Sequence, residues 1–493
     1  MQTQQGTIRN TDVNASGISA LSAVSRFCVV RPETLVSVVI EPTDGLSPSS
    51  TVALRAEVPA RTATTGFPFG GRRPTLPPLD NLEYAAASTP APVASAPEAI
   101  GPVPGAERIT VIDCLRGAAL FGILTANMRG FNAPIAAYMQ PSLMWTWFPD
   151  RLTQAFVDWL VSGKFITIFA ALFGIGFAIQ MDRAAARHQG VAFYRRRMFW
   201  LLVIGLVHAF GLWWGDILIS YAICGYLLIL FRNRSQRTIL RWAHVMYWFI
   251  VVLFAGFYVA MLFGLPPMPE PERKIEETIA IYANGTIAQI FAVRAQEWAA
   301  LNSFVFFLTR VLGIFLFGLY IWRQGYLRQP ANHLDWWKRA QRAGLAVGLV
   351  GNLIWVGLDW VYHPNPMQPT LLTAVLITLQ SIALPALSLG YAATVVLLWQ
   401  DPVWQRRLIP FSYVGRMALT NYLLQSLICT TIFYSYGLGL YGRVGPLADL
   451  FLGIAIYSAQ IPFSRWWLST HRYGPMEWLW RRLTYGPITV AVP

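Results

Sequence analysis

The sequence predicts an all-α protein, a polytopic membrane helix bundle of about ten transmembrane helices. Three observations carry that expectation. Apolar stretches recur from residue 112 onward, most of them near the roughly 20 residues that cross a hydrocarbon core. Only 13% of the 493 residues are charged while 55% are hydrophobic, against about 25% charged in a soluble domain. The loops between the stretches alternate between strongly basic and neutral or acidic, the pattern that orients a membrane protein.

Residues 1–105 are set apart by their Ser, Thr, Ala and Pro content, ending in a Pro/Ala-rich run at 88–97. Such a segment buries too little apolar surface to offset chain entropy, so it reads as an unstructured tail or an overextended start, although residues 35–40 could pair as a strand. The first thirty residues lack the basic start and apolar core of a signal peptide, which leaves targeting to the spans. Residues 106–265 form an N-terminal membrane bundle with spans at 112–128, 154–180, 198–214, 216–231 and 242–264. The third and fourth are separated only by Trp213, Trp214, Gly215 and Asp216, so they fold as a tight helical hairpin. Residues 266–300 are an extracytoplasmic loop. Its 270–297 segment, with Glu276, Glu277 and Tyr282, is either an amphipathic helix on the outer surface or a solvated loop. Residues 301–493 make a C-terminal bundle with spans at 301–322, 343–362, 370–399, 411–433 and 447–463. Aromatic residues near span ends, among them Trp145, Trp147, Trp213, Trp214, Trp466 and Trp467, are expected to anchor at the membrane interface.

Charge fixes the orientation. The loop 181–197 holds five Arg against one Asp, 232–241 four Arg and no acid, and 323–342 five basic residues against one Asp, whereas 264–300 holds five Glu against three basic residues. In a ten-span arrangement every strongly basic loop falls on one side, placing both termini in the cytoplasm of a bacterial plasma (inner) membrane. The formal net charge of +14 is thereby accounted for. Without a basic helix or zinc-finger spacing beside it, no nucleic-acid partner is expected. Cys114, Cys224 and Cys429 lie in or beside spans and Cys28 in the tail, so no disulfide framework is visible.

Several polar residues stand where an anchor helix would avoid them, since an intramembrane charge costs about 2.5–3.5 kcal/mol on insertion scales. In the first span Asp113 and Arg116 are three apart and can satisfy each other. Gly117 and Gly122 permit close helix contact, and Asn127 sits near the outer end. In the second span Asp158 and Lys164 flank Ser162 and Gly163, where a glycine either breaks the helix beside a cavity or serves tight packing. Arg310 is an isolated cation that can snorkel, pair with an acid or bind an anionic group. Asn421 and Gln425 stack on one face, the spacing of interhelical hydrogen bonding.

The sharpest chemical signal is His208 followed by Asp216 across the hairpin turn. A carboxylate on one ring nitrogen fixes the tautomer and leaves the other as a general base. A satisfied structural histidine is the plainer reading. No Walker phosphate loop, dinucleotide fingerprint, zinc-binding His-Glu-x-x-His or Gly-x-Ser-x-Gly elbow is present. The remaining histidines have no ligand-like spacing, so no metal is expected.

These motifs resemble the YeiB-like family of bacterial integral-membrane proteins over residues 108–486. The resemblance lies in Ile112-Asp113 with Leu115-Arg116-Gly117 through Asn127, the run 169–176, His208 with Gly215-Asp216-Ile217-Leu218, residues 415–425, and Gly474-Pro475-Met476-Glu477-Trp478 with residues 481–486. It implies a relation to transmembrane acyltransferases, which carry an acyl group from cytoplasmic acyl-CoA to an acceptor on the far side. Those proteins also begin with Asp and Arg-Gly and an Asn eleven residues after the Arg, as Arg116 and Asn127 stand here. In the heparan-glucosaminide acetyltransferase branch a catalytic His follows the Asn, whereas this chain has Tyr138 near that place and no His before His188. Either His208 supplies the base from another helix or acyl transfer is absent.

Two function classes follow. In the enzyme, His208 deprotonates an acceptor hydroxyl or amine, Asp216 orients the ring and Asn127 donates to the oxyanion. Arg116, Arg195, Arg196, Arg197 and Arg416 hold the phosphates of acyl-CoA, and the acceptor is an extracytoplasmic glycan or lipid. In a transporter or flippase, Lys164, Arg310 and the glycine-interrupted second span line a path through the bilayer. A non-catalytic membrane subunit would use the same charges as paired packing elements.

Overall fold

The computed structural model describes residues 109–140, 143–186, 190–264, 275–301, 304–362 and 370–486. The tail at 1–105, with Cys28, therefore lies outside the described residues. Among those described the secondary structure is helical, without a strand. The first half of the described chain gives α1 (Thr110–Asn132), the short α2 (Ile135–Met139), α3 (Phe148–Leu160), α4 (Lys164–Ala186), α5 (Ala192–Gly211), α6 (Leu218–Leu228) and α7 (Gln236–Leu262). Two helices, α8 (Ile275–Asn284) and α9 (Ile287–Leu301), occupy the segment read as a loop. Then come α10 (Phe304–Arg323), α11 (Leu334–Tyr362), α12 (Leu371–Leu398), α13 (Pro402–Arg416), α14 (Ala418–Phe433), α15 (Pro446–Thr470) and α16 (Pro475–Tyr485).

Among the described residues each of the ten apolar stretches is largely helical. Six helical segments among the described residues are long and apolar enough to cross a membrane, while Leu218–Phe231 and Ala418–Phe433 are shorter apolar helices. Burial separates central helices from peripheral ones. In α1, 72% of the most apolar window is buried within the protein, against 22% for the segment Pro330–Tyr362. Val347, Val350, Leu353 and Ile354 of α11 face outward. Such a surface is stable only where apolar side chains meet lipid.

α1 is the hub, packed against α4, α13, α14 and α15. Its crossing with α13 brings backbones together: a Cβ on Gly117 would lie 1.9 Å from the Phe411 carbonyl oxygen, and one on Gly415 1.9 Å from that of Asp113. No side chain fits at either position. Gly174 of α4 is in the same situation against Phe315 of α10, as expected of small residues at membrane helix contacts.

Two spans differ from their expected continuous form. The second is broken between α3 and α4 at Gly163, whose φ of +80° suits a residue without a Cβ. Of the two roles foreseen for glycine here, Gly163 takes the break and Gly174 the packing. The ninth, expected at 411–433, divides at Met417 into α13 and α14. There the carboxylate of Glu477 accepts from the backbone N–H of Leu419 at 2.6 Å and Thr420 at 3.1 Å, satisfying donors that a helix start leaves open.

Of the two forms foreseen for 270–297 the helical one is found, as two helices with one buried and one exposed face, and residues 265–274 lie outside the described residues. Tyr282 of α8 is fully buried and stacks on Tyr441 at 4.5 Å, and Ser435 donates its N–H to the Tyr282 carbonyl. Arg294 of α9 donates to the carbonyl of Phe210 near the end of α5. Trp213 and Trp214, expected as interface anchors, are 2% and 1% exposed. Trp213 instead donates to the carbonyl of Gly130 at 2.9 Å, tying the α5–α6 turn to α1. Trp147 and Trp466 are exposed.

Candidate functional site

α5 ends at Gly211 and α6 begins at Leu218, and the two pack as the expected hairpin. The turn carries Asp216 back over the last turns of α5. One carboxylate oxygen accepts the N–H of Ile219 at 2.8 Å, and the other lies 2.8 Å from Nδ1 of His208. His208 is 1% exposed and Asp216 5%. The pairing proposed from sequence is thus a direct hydrogen bond in a dry interior.

The second ring nitrogen is also engaged. Nε2 of His208 lies 2.8 Å from the hydroxyl of Ser426 on α14, a residue the sequence reading passed over. An ionised carboxylate only accepts, so Nδ1 must donate to Asp216. In the neutral ring Nε2 is then an acceptor and the Ser426 hydroxyl donates to it. The Tyr422 ring lies 5.0 Å from the imidazole, and Trp213 stands edge-on at 6.5 Å. In this Asp–His–Ser order the imidazole can accept a proton from the hydroxyl while the carboxylate holds the other ring nitrogen.

The other polar residues separate by partner. Asn127 is half-buried on α1. Its neighbour Met128, about 100° round the helix, is the residue that meets Cys429 of α14 at 3.7 Å, so the structure does not bring Asn127 itself against His208 or Ser426. Asn421 and Gln425 face α15: Asn421 donates to Ser464 at 3.0 Å, Gln425 to Gln460 at 2.8 Å, and Gln460 back to the Asn421 carbonyl at 3.1 Å. Asp113 pairs with Arg116 at 3.1 Å. The carboxylate of Asp158 takes Arg129 at 3.3 Å along with Gln154 and Ser162, while buried Lys164 donates to the Asp158 backbone carbonyl. Arg310 faces Tyr247, 5.5 Å from the ring centroid.

The basic residues gather at the start of α5. Arg195 and Arg196 are exposed, and Arg197 lies over the Trp480 ring of α16 at 3.5 Å. Burial draws the Arg197 guanidinium down to about 10, and the nearby cations Arg481 and Arg116 add to the lowering while Tyr485 opposes it. Three arginines therefore converge at one end of the bundle, Arg481 among them, which the sequence reading named only as the start of the motif at 481–486. Arg416 closes α13. Arg197 and His208 are eleven residues apart on α5, three turns plus about 20°, so they share a helix face and stand about 16 Å apart along the axis. Among the described residues no group of three or more His, Cys, Asp or Glu is placed to hold a metal ion.

Residues 321–487 match the family described as Protein of unknown function (DUF418). The chain is similar to the uncharacterized protein YxaH of Bacillus subtilis (strain 168), 34% identical over 77% of this chain and 94% of that protein. It is also 32% identical to the uncharacterized protein YeiB of Escherichia coli (strain K12), over 77% of this chain and 96% of that protein. An uncharacterized 39.9 kDa protein from the amylase 3' region of Bacillus acidopullulyticus is 30% identical over 77% and 94% of the two chains.

Proposed function

The chain belongs to the DUF418, YeiB-like family of helical membrane proteins, and from that premise we propose that it is a membrane acyltransferase. It takes an acyl group from cytoplasmic acyl-CoA and delivers it to an extracytoplasmic glycan or lipid. The observation that carries this reading is His208 held between Asp216 and Ser426, each at 2.8 Å, in the interior. A buried structural histidine would also need a partner on each nitrogen, but a carboxylate on Nδ1 and a hydroxyl on Nε2 are in addition the partners that a general base uses.

Asp216 holds the proton on Nδ1 and stabilises the imidazolium that forms when Nε2 takes a proton. Asn127 of α1 is assigned as the donor to the oxyanion from its sequence motif. Arg116, Arg197 and Arg481 attract the CoA phosphates, and exposed Arg195 and Arg196 steer the anion to the same end, with Arg416 as a further contact. The roughly 16 Å from Arg197 to His208 along one face of α5 is comparable with an extended pantetheine arm, so the thioester reaches the base while the nucleotide stays in water.

Orientation is part of the proposal: both termini and the basic loops face the cytoplasm. Single cysteines at Arg234 and Glu277 should react with a membrane-impermeant thiol reagent from opposite sides, Arg234 from the cytoplasm; outward labelling at Arg234 overturns the orientation. For the activity, acetyl-CoA or palmitoyl-CoA should bind the protein in lipid nanodiscs with an affinity that falls as salt rises. A protein that binds neither yet moves a solute in liposomes would be the transporter suggested by the broken helix at Gly163 and the buried Lys164.

A further inference from the structure

Ser426 is the member of the buried centre that a general-base mechanism leaves unused. A base waiting for an acceptor hydroxyl would keep Nε2 open, but here the protein's own hydroxyl holds that nitrogen at 2.8 Å. Serines within membrane helices commonly return their proton to the carbonyl four residues back. For Ser426 that contact, to Tyr422, is the longer at 3.3 Å, so the shorter bond to His208 takes the proton. We propose that Ser426 is the nucleophile and carries the acyl group as a covalent ester between donor and acceptor, an inference that rests on the acyltransferase reading.

The surroundings supply a route for the acyl chain. Val207 and Leu427, the residues next to His208 and Ser426, are 66% and 48% exposed on the outer surface of the bundle. Adjacent helix positions differ by about 100°, so on each helix an outward-facing apolar residue flanks the buried pair. An acyl chain can lie in the bilayer while its carbonyl carbon meets Oγ. An ester intermediate also removes a geometric difficulty: donor and acceptor arrive from opposite sides, and each uses the single base in turn.

In the first half-reaction Ser426 Oγ gives its proton to His208 Nε2 and bonds to the thioester carbonyl carbon. The C–S bond breaks, and the proton passes from Nε2 to the sulfur, releasing CoA thiol. In the second, the acceptor hydroxyl gives its proton to Nε2 and attacks the ester; the Oγ–C bond breaks and Oγ recovers the proton. Electrons and atoms balance without a further reactant.

The test is labelling of the full-length protein in nanodiscs with an alkyl fluorophosphonate, which reports an activated serine whatever the natural acyl chain. Peptide mass spectrometry should place the adduct on Ser426, formed about 100-fold more slowly in His208→Ala. Palmitoyl-CoA should leave an acyl mass on the same peptide. In Ser426→Cys that acyl group should become a thioester cleaved by neutral hydroxylamine, with thermal stability unchanged to show that the fold is kept. An unlabelled Ser426, or labelling indifferent to His208→Ala, overturns the nucleophile. CoA release that depends on His208 but continues in Ser426→Ala sinks the covalent step and leaves the acyltransferase standing. A fluorophosphonate adduct without CoA release from either acetyl-CoA or palmitoyl-CoA keeps the serine and discards the CoA donor.

Discussion

Gln425 and Ser426 are consecutive residues of α14, 2% and 0% exposed, yet they belong to networks of different kinds. Gln425 turns to α15, where it joins Gln460, Asn421 and Ser464. All of these are neutral amides and hydroxyls, and the bonds they make between helices are adhesion. Ser426 turns to α5 and meets His208 and Asp216, an acid and a base whose burial is costly unless each charge finds a partner. Burial and hydrogen bonding are alike in the two networks. What separates them is that only one contains a carboxylic acid and an imidazole, the groups that acid–base chemistry uses.

The largest expected effect breaks that comparison at its centre. His208→Ala should lower acyl transfer by roughly 10²–10⁴-fold, and Asp216→Asn by a similar order through the wrong tautomer. Gln425→Ala should leave the rate per folded molecule unchanged. Equal losses in steady-state transfer for Gln425→Ala and His208→Ala would erase the distinction. Next in size, Arg197→Ala or Arg481→Ala should raise the KM for acyl-CoA by roughly 10–100-fold, the worth of one charge-assisted hydrogen bond. Turnover at saturation should hold, and a fall in kcat with KM fixed would move these arginines from the donor site to the chemistry.

The adhesive network should answer in stability instead. Gln425→Ala leaves the Gln460 carbonyl oxygen without its donor, a cost of about 1–3 kcal/mol that should lower Tm in detergent. An unchanged Tm would show that α15 finds another partner. A pH-dependent effect lies beyond both networks, at Glu297 of α9, which accepts from Tyr282 at 2.7 Å and from the Ile135 N–H at 3.0 Å, with Arg294, Tyr434 and Tyr441 nearby. Burial raises its carboxyl from 4.5 to about 7. Between those values the native protein holds a proton that the unfolded chain has released, so stability falls as pH rises from about 4.5 to about 7. Glu297→Gln should flatten that part of a Tm–pH profile, and a profile identical to wild type would remove the assignment.

Much of this architecture was legible because membrane helices announce themselves by length and apolarity. The His208–Asp216 pair was legible for a related reason: eight residues spanning a tight turn leave few ways to arrange the chain. Ser426 was not. It lies 218 residues from His208, and a serine in an apolar helix looks like the many that bond only to their own backbone. One signal was within reach, its place directly after Gln425 at the end of a polar run. The break at Gly163 was one of two roles foreseen for that glycine, whereas the break at Met417 was hidden because hydropathy is indifferent to a single turn of nonhelical backbone, and the burial of Trp213 and Trp214 because aromatic residues at span ends are usually wet. The burial of α8 depended on Tyr434 and Tyr441, about 150 residues further along.

Placing Arg197 and His208 on one rigid helix writes the distance between charge and chemistry as a residue count. A loop of the same reach would adapt to donors of different length; a helix behaves as a gauge. One residue inserted between them would turn His208 by about 100° and advance it about 1.5 Å, taking the imidazole out of register with Ser426 even if every side chain were retained. For a donor gripped at its phosphates, such a gauge measures the arm between phosphate and carbonyl and is blind to the hydrocarbon beyond it. Selectivity would then be strict for the carrier and lenient for the length of the cargo.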